Sequence, residues 1–134
     1  MIPKFRAWHK ELGRMMLIEI MYFFFFDNEL EELELNDPVM NDHISVYPDE
    51  IVLMQSTGLK DKNGKEIFEG DVVKMAKDVY SEPTHYEVVR YRGGAYRLES
   101  KQHGCELWLR HTNCEIVGNI YENPELLEVK SEIF

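Results

Sequence analysis

The stretch Gln55-Ser-Thr-Gly-Leu-Lys-Asp-Lys-Asn-Gly-Lys-Glu-Ile-Phe-Glu-Gly-Asp-Val-Val-Lys74 places three turn signals between short runs of β-prone residues. Ser56 to Gly58 ends the apolar run 51–54, and Glu69-Gly70-Asp71 directly precedes the apolar run 72–75. Between them, Asn63-Gly64 is a strong two-residue reversal, because both positions tolerate a positive φ. The stretch therefore predicts short antiparallel strands joined by tight turns.

The remainder of the C-terminal part continues this β pattern. The β-prone runs 86–91 and 95–98 flank Gly93-Gly94 and predict a hairpin. Leu107 to Leu109 and Glu115 to Tyr121 complete a set of five short strands, which we expect to close into a small barrel because closure removes unpaired edges. Asn123-Pro124 predicts the start of a short C-terminal helix, with Asn as the cap.

The N-terminal part predicts a hairpin followed by a helix. Lys4 to Trp8 alternates as a half-buried strand does, and Leu12-Gly13 is the turn before the apolar run 15–18. In the acidic segment that follows, Leu30 and Leu33 are three residues apart, which favours a short amphipathic helix. We therefore expect a mainly β (α+β) protein, with an N-terminal domain at 1–50 and the barrel at 51–134.

Three separated segments carry a more specific pattern: KFRAW at 4–8, TGLKDKNGKEIFEGDVV at 57–73 and EIVGNIYENPELL at 115–127. In this order they resemble the YopX-like family of phage and prophage proteins. The segment 15–50 shows no pattern that matches the family. The resemblance implies an SH3-like β-barrel in the C-terminal part and an origin in a phage or prophage. It implies no catalytic residues, because no biochemical activity is assigned to the family.

Length and composition are typical of one folded protein. The 134 residues are 44% hydrophobic and 30% charged, a balance that supports an apolar core. No run reaches the roughly 18 apolar residues of a membrane-spanning helix, and the N-terminus lacks the apolar core of a signal peptide. Two cysteines are too few for a disulfide framework. We expect a protein of the bacterial host's cytoplasm, with no membrane contact.

The net charge of −10 is concentrated in one segment, since residues 27–50 contain nine Asp or Glu and no Lys or Arg. By default this segment is a solvated face, and the alternative is a docking surface for a basic host protein. Nucleic acid is not the expected partner, because binding to phosphates requires a basic face. A nucleic-acid-binding barrel stays open as an alternative if folding gathers the following cations: Lys60, Lys62, Lys65, Arg90, Arg92, Arg97 and Arg110.

Four residues are of the type that binds zinc: His103, Cys105, His111 and Cys114. Their spacing does not match the ligand pairs of common structural zinc sites, which lie two to four residues apart. We therefore assign no metal and no cofactor, with a zinc-stabilised module or a metal-dependent enzyme as the alternative.

Carboxylates also offer two weaker candidate sites. Asp61-x-Asn63-Gly64 lacks the other positions of a calcium loop and indicates a turn. Glu66, Glu69 and Asp71 have no His or Lys base at a suitable spacing, so they indicate no acid–base site.

The apolar run Met15–Phe26, which ends in four consecutive phenylalanines, must be covered. It is a core strand of the N-terminal part, a strip that docks onto the barrel, or an interface through which the protein forms a homo-oligomer. With no catalytic motif present, we expect a non-catalytic accessory protein that acts as a protein-interaction module, with an unidentified host or phage protein as its partner.

Overall fold

A computed structural model describes residues 4–23, 30–37, 42–76, 78–91, 93–101 and 103–128. The chain divides into two compact units, Met1–Ser56 (unit 1) and Thr57–Phe134 (unit 2). Each unit has its own apolar core. Among the described residues, no helix is long and apolar enough to cross a membrane.

Unit 1 contains an antiparallel sheet in the order β4-β3-β2-β1-β5. The predicted N-terminal hairpin is confirmed, because β1 pairs with β2, and Gly13 has a φ of 63° in the turn between them. A single turn of 3₁₀ helix, Pro48–Glu50, precedes β5. The strands are β1 Phe5–His9, β2 Arg14–Phe23, β3 Leu30–Asp37, β4 Asp42–Val46 and β5 Ile51–Lys60, of which the last continues into unit 2.

The acidic segment forms strand β3, so the prediction of a short amphipathic helix there is wrong. Leu33 and Leu35 are fully buried. Glu32, which precedes Leu33, and Glu34, which lies between the two leucines, are partly exposed. This alternation has the period of two that places leucine on one face of a sheet and glutamate on the other. The spacing of Leu30 and Leu33 suits a helix, but β2 and β4 supply backbone partners on both sides of the segment.

The core of unit 1 buries three side chains of the apolar run 15–26. Met16 is buried, and Ile18 and Met21 pack against the same core. Leu17 points away and is 56% exposed. Phe24 to Phe26 lie outside the described residues. At the start of β2, Arg14 forms an ion pair with the buried carboxylate of Asp37.

Unit 2 contains an antiparallel sheet in the order β10-β9-β8-β7-β11. The predicted hairpin at Gly93-Gly94 is confirmed, since both glycines have φ values near 85° and β8 pairs with β9. The C-terminal half of β5 lies beside β6, where the Thr57 hydroxyl donates to the Ile67 carbonyl over 2.7 Å. The strands and the one α-helical turn are β6 Glu66–Phe68, β7 Asp71–Met75, β8 Thr84–Arg90, β9 Tyr96–Glu99, β10 Gly104–Glu106, α1 Leu107–Arg110 and β11 Glu115–Asn119.

The described strands form two open antiparallel sheets, so the predicted closed SH3-like barrel is not confirmed. β10 and β11 are the two edges of the five-stranded sheet and do not pair with each other. The apolar face of this sheet is covered instead by side chains from other elements. Ile67 of β6 and Leu107 of α1 are both fully buried in the core of unit 2. A second layer therefore buries this face where closure was expected to do so.

The predicted strand at Leu107 to Leu109 is wrong as well. These residues form the helical turn α1, which continues into a 3₁₀ turn at His111–Asn113. Leu107 is buried, but the next two side chains are exposed. An alternating strand would have placed Leu109 on the same face as Leu107, so the helical geometry changes which residue faces solvent.

The predicted C-terminal helix is a single 3₁₀ turn, Pro124–Leu127, and Asn123 does not cap it with its side chain. The Asn123 carboxamide oxygen instead accepts a hydrogen bond from the backbone N–H of Asn119 over 3.3 Å. It lies where a side chain on Gly118 would be, because a Cβ at Gly118 would stand 2.3 Å from that oxygen. The end of β11 and the residue before the C-terminal turn are therefore in close contact.

Asp61 organises the Asn63-Gly64 turn. Its buried carboxylate accepts hydrogen bonds from the backbone N–H groups of Asn63 and Lys65, each over 2.9 Å, and of Ile116 over 3.0 Å. Burial alone would raise the pKa of Asp61, but these three hydrogen bonds together lower the pKa below its ordinary value. The turn predicted from the sequence is confirmed, and the same carboxylate connects it to β11.

Replacing Gly64 with Val should lower the free energy of unfolding by about 1–3 kcal/mol, the cost of holding a non-glycine residue in the left-handed region. Gly64 has a φ of 79°, and a Cβ there would meet no atom within 4 Å, so backbone strain is the sole expected cause. Chemical denaturation measures the change. Gly64→Ala is the comparison variant with a smaller side chain at the same position. A Val variant as stable as the parent protein would contradict the assignment of this turn.

Replacing Asp61 with Asn should lower the free energy of unfolding by about 1–3 kcal/mol at pH 7, because an amide N–H₂ cannot accept the buried backbone hydrogen bonds. The pH dependence has a defined sign, since the folded pKa lies below the unfolded one. The stabilisation is present above the unfolded pKa of about 3.9 and is lost as the pH falls through the folded pKa. Denaturation curves between pH 2 and 7 should therefore converge for the two proteins at the acid end. A constant difference across this range would refute the assignment.

Candidate protein-interaction surface

Two segments of unit 2 expose large apolar side chains. Trp108 and Leu109 of α1 are 64% and 59% exposed, and Val79 and Tyr80, in the loop between β7 and β8, are 90% and 96% exposed. Exposed aromatic residues of this kind are typical of binding surfaces, because they supply large contact areas with few rotatable bonds. We call these four residues the exposed apolar surface.

Helix α1 is held firmly in place although it is one turn long. Leu107 anchors it in the core, and the Arg110 guanidinium donates a hydrogen bond to the Ala76 carbonyl over 3.1 Å. The imidazole Nδ1 of His111 lies 2.8 Å from the carbonyl oxygen of Lys60, at the end of β5. These contacts fix the backbone from which Trp108 projects, so the exposure of its indole follows from the packing of unit 2.

The loop that carries Val79 and Tyr80 has its own local order. One carboxylate oxygen of Asp78 accepts hydrogen bonds from the Tyr80 backbone N–H over 2.9 Å and from the Ser81 hydroxyl over 2.8 Å. The loop follows Ala76, the residue that accepts the hydrogen bond from Arg110. Arg110 therefore connects α1 with Ala76, close to the start of this loop.

Sequence reasoning missed this surface for an identifiable reason. The sequence predicts a strand at Leu107 to Leu109, and in a strand Leu109 would share a face with Leu107. No pattern in residues 78–83 predicts a strand, a helix or a binding surface. Two adjacent exposed residues on α1 could be found only after the helical turn was known.

The four residues considered as an alternative zinc site have other roles in the structure. Cys114 is fully buried, and its thiol lies 3.8 Å from the Met75 sulfur and donates to the Arg110 carbonyl over 3.3 Å. Cys105 is partly buried, and His103 is exposed in the turn before β10. Within the described ranges, no group of three or more His, Cys, Asp or Glu side chains is arranged to hold a metal ion. The two cysteines thus occupy positions of small core residues.

The three carboxylates weighed as an acid–base cluster are not used together. Asp71 is buried, and its carboxylate accepts a hydrogen bond from the Phe68 backbone N–H over 2.7 Å. Glu69 lies 3.8 Å from the guanidinium of Arg90. Asp71 therefore shapes the turn between β6 and β7, and Glu69 has a cationic neighbour of its own.

Several of the cations named for the alternative of nucleic-acid binding have carboxylate partners. Lys62 lies 3.2 Å from Glu115. Arg97 contacts Glu99 over 3.0 Å and Glu106 over 2.6 Å, and its guanidinium lies 5.5 Å from the centre of the Tyr91 ring. These pairs neutralise charges that phosphates would need. Arg92 lies outside the described residues.

A pocket of 260 Å³ lies between the start of β8 and the C-terminal turn. This volume is below the range of about 300–1,000 Å³ that is typical of small-molecule sites. The exposed apolar surface is therefore the stronger candidate. The pocket is lined by Pro83, Thr84, His85, Ser100, Lys101, Leu126, Leu127 and Glu128.

The model of the YopX protein family matches residues 4–128 of the chain. The chain belongs to the YopX family. This confirms the resemblance carried by the three segments in the sequence. No curated protein matches the chain.

Two solved structures are similar over nearly the whole chain. The crystal structure of protein EF1440 from Enterococcus faecalis is 32% identical, with a TM-score of 0.63, and the match covers 96% of this chain and 99% of that one. The crystal structure of protein yopX from Bacillus subtilis is 22% identical, with a TM-score of 0.61, and the match covers 93% and 98%. The second likeness concerns the fold alone.

The two thiols should differ in reactivity. Burial raises the pKa of Cys114 to about 12, and burial also raises the pKa of Cys105, which is less enclosed. At pH 8, a thiol-specific chromogenic reagent should label Cys105 before Cys114 in the native protein. In denaturant, both thiols should react at the rate of a free cysteine. Cys105→Ser and Cys114→Ser identify the two phases. Rapid labelling of Cys114 in the native protein would contradict its place in the core.

Proposed function

We propose that this YopX-family protein is a non-catalytic accessory protein that works by binding another protein through the exposed apolar surface. We further propose that it is encoded by a phage or prophage and acts in the cytoplasm of the bacterial host. The family resemblance supports the origin. The binding role is supported by the surface itself, which offers apolar anchors on a fixed backbone.

The single observation that carries this proposal is the exposure of Trp108 and Leu109 side by side on α1. Tryptophan is among the residues that contribute most to binding free energy when a partner covers them. Leu107 and the hydrogen bond from Arg110 to Ala76 fix the helix in advance, so a partner would not bear the entropic cost of ordering it.

The arrangement of titratable groups supports a non-catalytic role. Asp61 and Asp71 are buried, and their oxygens accept backbone hydrogen bonds. Cys114 is a buried thiol with a raised pKa, the opposite of an activated nucleophile. These groups stabilise turns and the core, and no nucleophile with an adjacent base is formed from them.

A second copy of the chain is a second candidate partner. Leu17 is exposed on β2, within the apolar run Met15–Phe26, and a large apolar side chain in that position suits a subunit contact. Its neighbours Met16 and Ile18 already pack in the core of unit 1, which leaves Leu17 as the described residue that favours this interface.

Replacing Trp108 and Leu109 together with Ala should abolish capture of the partner from the native host. Loss of one central aromatic anchor typically weakens an interface by at least about tenfold. The measurement is crosslinking followed by mass spectrometry of the tagged protein, with quantification of captured proteins. Leu12→Ala, which removes an exposed apolar side chain from the turn between β1 and β2, is the matched control. Melting curves should show that both variants remain folded.

Three outcomes decide the proposal. Loss of a captured protein in the Trp108 and Leu109 variant, with retention in the Leu12 variant, supports it. Equal capture by both variants refutes the assigned surface. If only Leu17→Glu loses the captured protein, or loses self-association measured by light scattering, the interface lies on β2 and not on α1.

A further inference from the structure

The pocket of 260 Å³ in unit 2 is lined by residues that the proposed protein interface does not use. Three segments of unit 2 meet there: the start of β8, the turn after β9, and the C-terminal 3₁₀ turn with the residue that follows it. Trp108 and Leu109 are not among the lining residues. The pocket and the exposed apolar surface are therefore separate sets of residues, and a ligand of the pocket is a function beyond the one proposed above.

Hydrogen bonds order the backbone of all three segments. β8 pairs with β7 from Thr84 onward. In the turn after β9, the Ser100 N–H donates to the His103 carbonyl over 2.8 Å, and the His103 N–H donates to the Ser100 hydroxyl over 3.0 Å. In the C-terminal turn, the N–H groups of Leu126 and Glu128 each donate over 3.2 Å to the carbonyl three residues earlier. The walls of the pocket are therefore in place before a ligand binds.

The lining carries charges of both signs. Lys101 contributes an ammonium group and Glu128 a carboxylate, and both residues are exposed. Among the residues that the structure describes, neither side chain forms an ion pair or a hydrogen bond. Two opposite charges that line one pocket without pairing with each other are both available to a ligand. A ligand that carries one anionic and one cationic group satisfies both.

The remaining lining residues add a hydrogen-bond donor and an apolar wall. The imidazole of His85 has an N–H donor in either tautomer. Leu126 and Leu127 are partly buried and contribute aliphatic side chains. A volume of 260 Å³ is just below the range of drug-sized ligands and suits a molecule of the size of one amino acid.

We propose that this pocket binds a free α-amino acid with an aliphatic side chain, such as leucine. The carboxylate of the ligand pairs with Lys101 and accepts a hydrogen bond from His85, and its ammonium group pairs with Glu128. Its side chain packs against Leu126 and Leu127. Each charge of the ligand then meets an opposite charge, and charge-assisted hydrogen bonds are stronger than neutral ones. The lining thus distinguishes an amino acid from a carboxylic acid or an amine that carries a single charge.

The expected affinity is low, because Lys101 and Glu128 are exposed and the ligand is small. Exposed ion pairs contribute little to binding, and a ligand of this size offers few atoms for contact. A dissociation constant on the order of 1 mM is therefore expected.

NMR titration of the isotope-labelled protein with L-leucine tests the proposal. Saturable shifts of backbone amide signals are expected in the ranges that line the pocket, 84–85, 100–101 and 126–128. The amide signals of Trp108 and Leu109 should not move. Shifts that rise linearly with concentration, or that occur only outside these ranges, overturn the proposal.

Three analogues separate the groups that the pocket recognises. L-Leucinamide lacks the carboxylate, isocaproate lacks the ammonium group, and glycine lacks the aliphatic side chain. Each should bind more weakly than leucine, by about twofold to fivefold where one exposed ion pair is lost. Leucinamide or isocaproate binding as tightly as leucine would show that both charges are not recognised, and would overturn the proposal.

Two substitutions assign the charges of the pocket. Lys101→Met keeps an aliphatic side chain, and should weaken leucine by about twofold to fivefold without weakening leucinamide, which has no carboxylate to pair. Glu128→Gln should weaken leucine by a similar factor without weakening isocaproate. Lys60→Met, at the exposed end of β5 and outside the lining, is the matched control and should bind leucine as the parent protein does. Melting curves should show that all three variants remain folded.

The pattern of losses decides the outcome. Weakening by both pocket variants, each confined to ligands that carry the matching charge, supports the proposal. Equal binding of leucine by the parent protein and both pocket variants overturns it, and so does an equal loss in the Lys60 variant, which would assign the effect to net charge. None of these variants changes Trp108 or Leu109, so failure of leucine binding leaves the proposed protein interface to its own test.

Discussion

The buried carboxylate of Asp61 is the interaction on which the arrangement of unit 2 depends. It joins a tight turn to β11, although Ile116 is 55 residues further along the chain. The neighbouring backbone N–H of Lys62 donates to the Cys114 carbonyl over 2.9 Å, so the same turn also fixes the segment that follows α1. A charged acceptor in a buried position is stabilising when it is fully hydrogen-bonded, and here three donors satisfy it. The position of α1, and with it the exposure of Trp108, follows from this network.

Local turn chemistry was predictable from the sequence because it depends on few residues. Gly13, Gly64 and Gly93-Gly94 all have positive φ values, and the structure has a reversal at each of them. Hairpins therefore followed directly from the positions of glycine. The family resemblance was similarly local, since it rested on three short segments.

The wrong predictions concern features that neighbouring strands decide. The separation of Leu30 and Leu33 suits a helix, whereas that of Leu33 and Leu35 suits a strand, and pairing with β2 and β4 selected the strand. Leu107-Trp108-Leu109 is a run that suits a strand, but the burial of Leu107 and the contacts of Arg110 and His111 favour a helical turn. Closure of the barrel depended on whether the edge strands meet, which no local pattern encodes. The candidate surface was missed for the same reason, because it exists only on the folded backbone.

The crowded contact at Gly118 restricts how this chain can vary. The side chain of Asn123 occupies the space that any other residue at 118 would need, directly after the bulge between Ile116 and Gly118. Asn119 and Asn123 also exchange backbone and side-chain hydrogen bonds, which close the chain on itself after β11. A side chain introduced at position 118 would therefore displace the Asn123 carboxamide, and with it the hydrogen bond that this carboxamide accepts from the Asn119 N–H. Variation at position 118 is thus tied to the residue that stands at position 123.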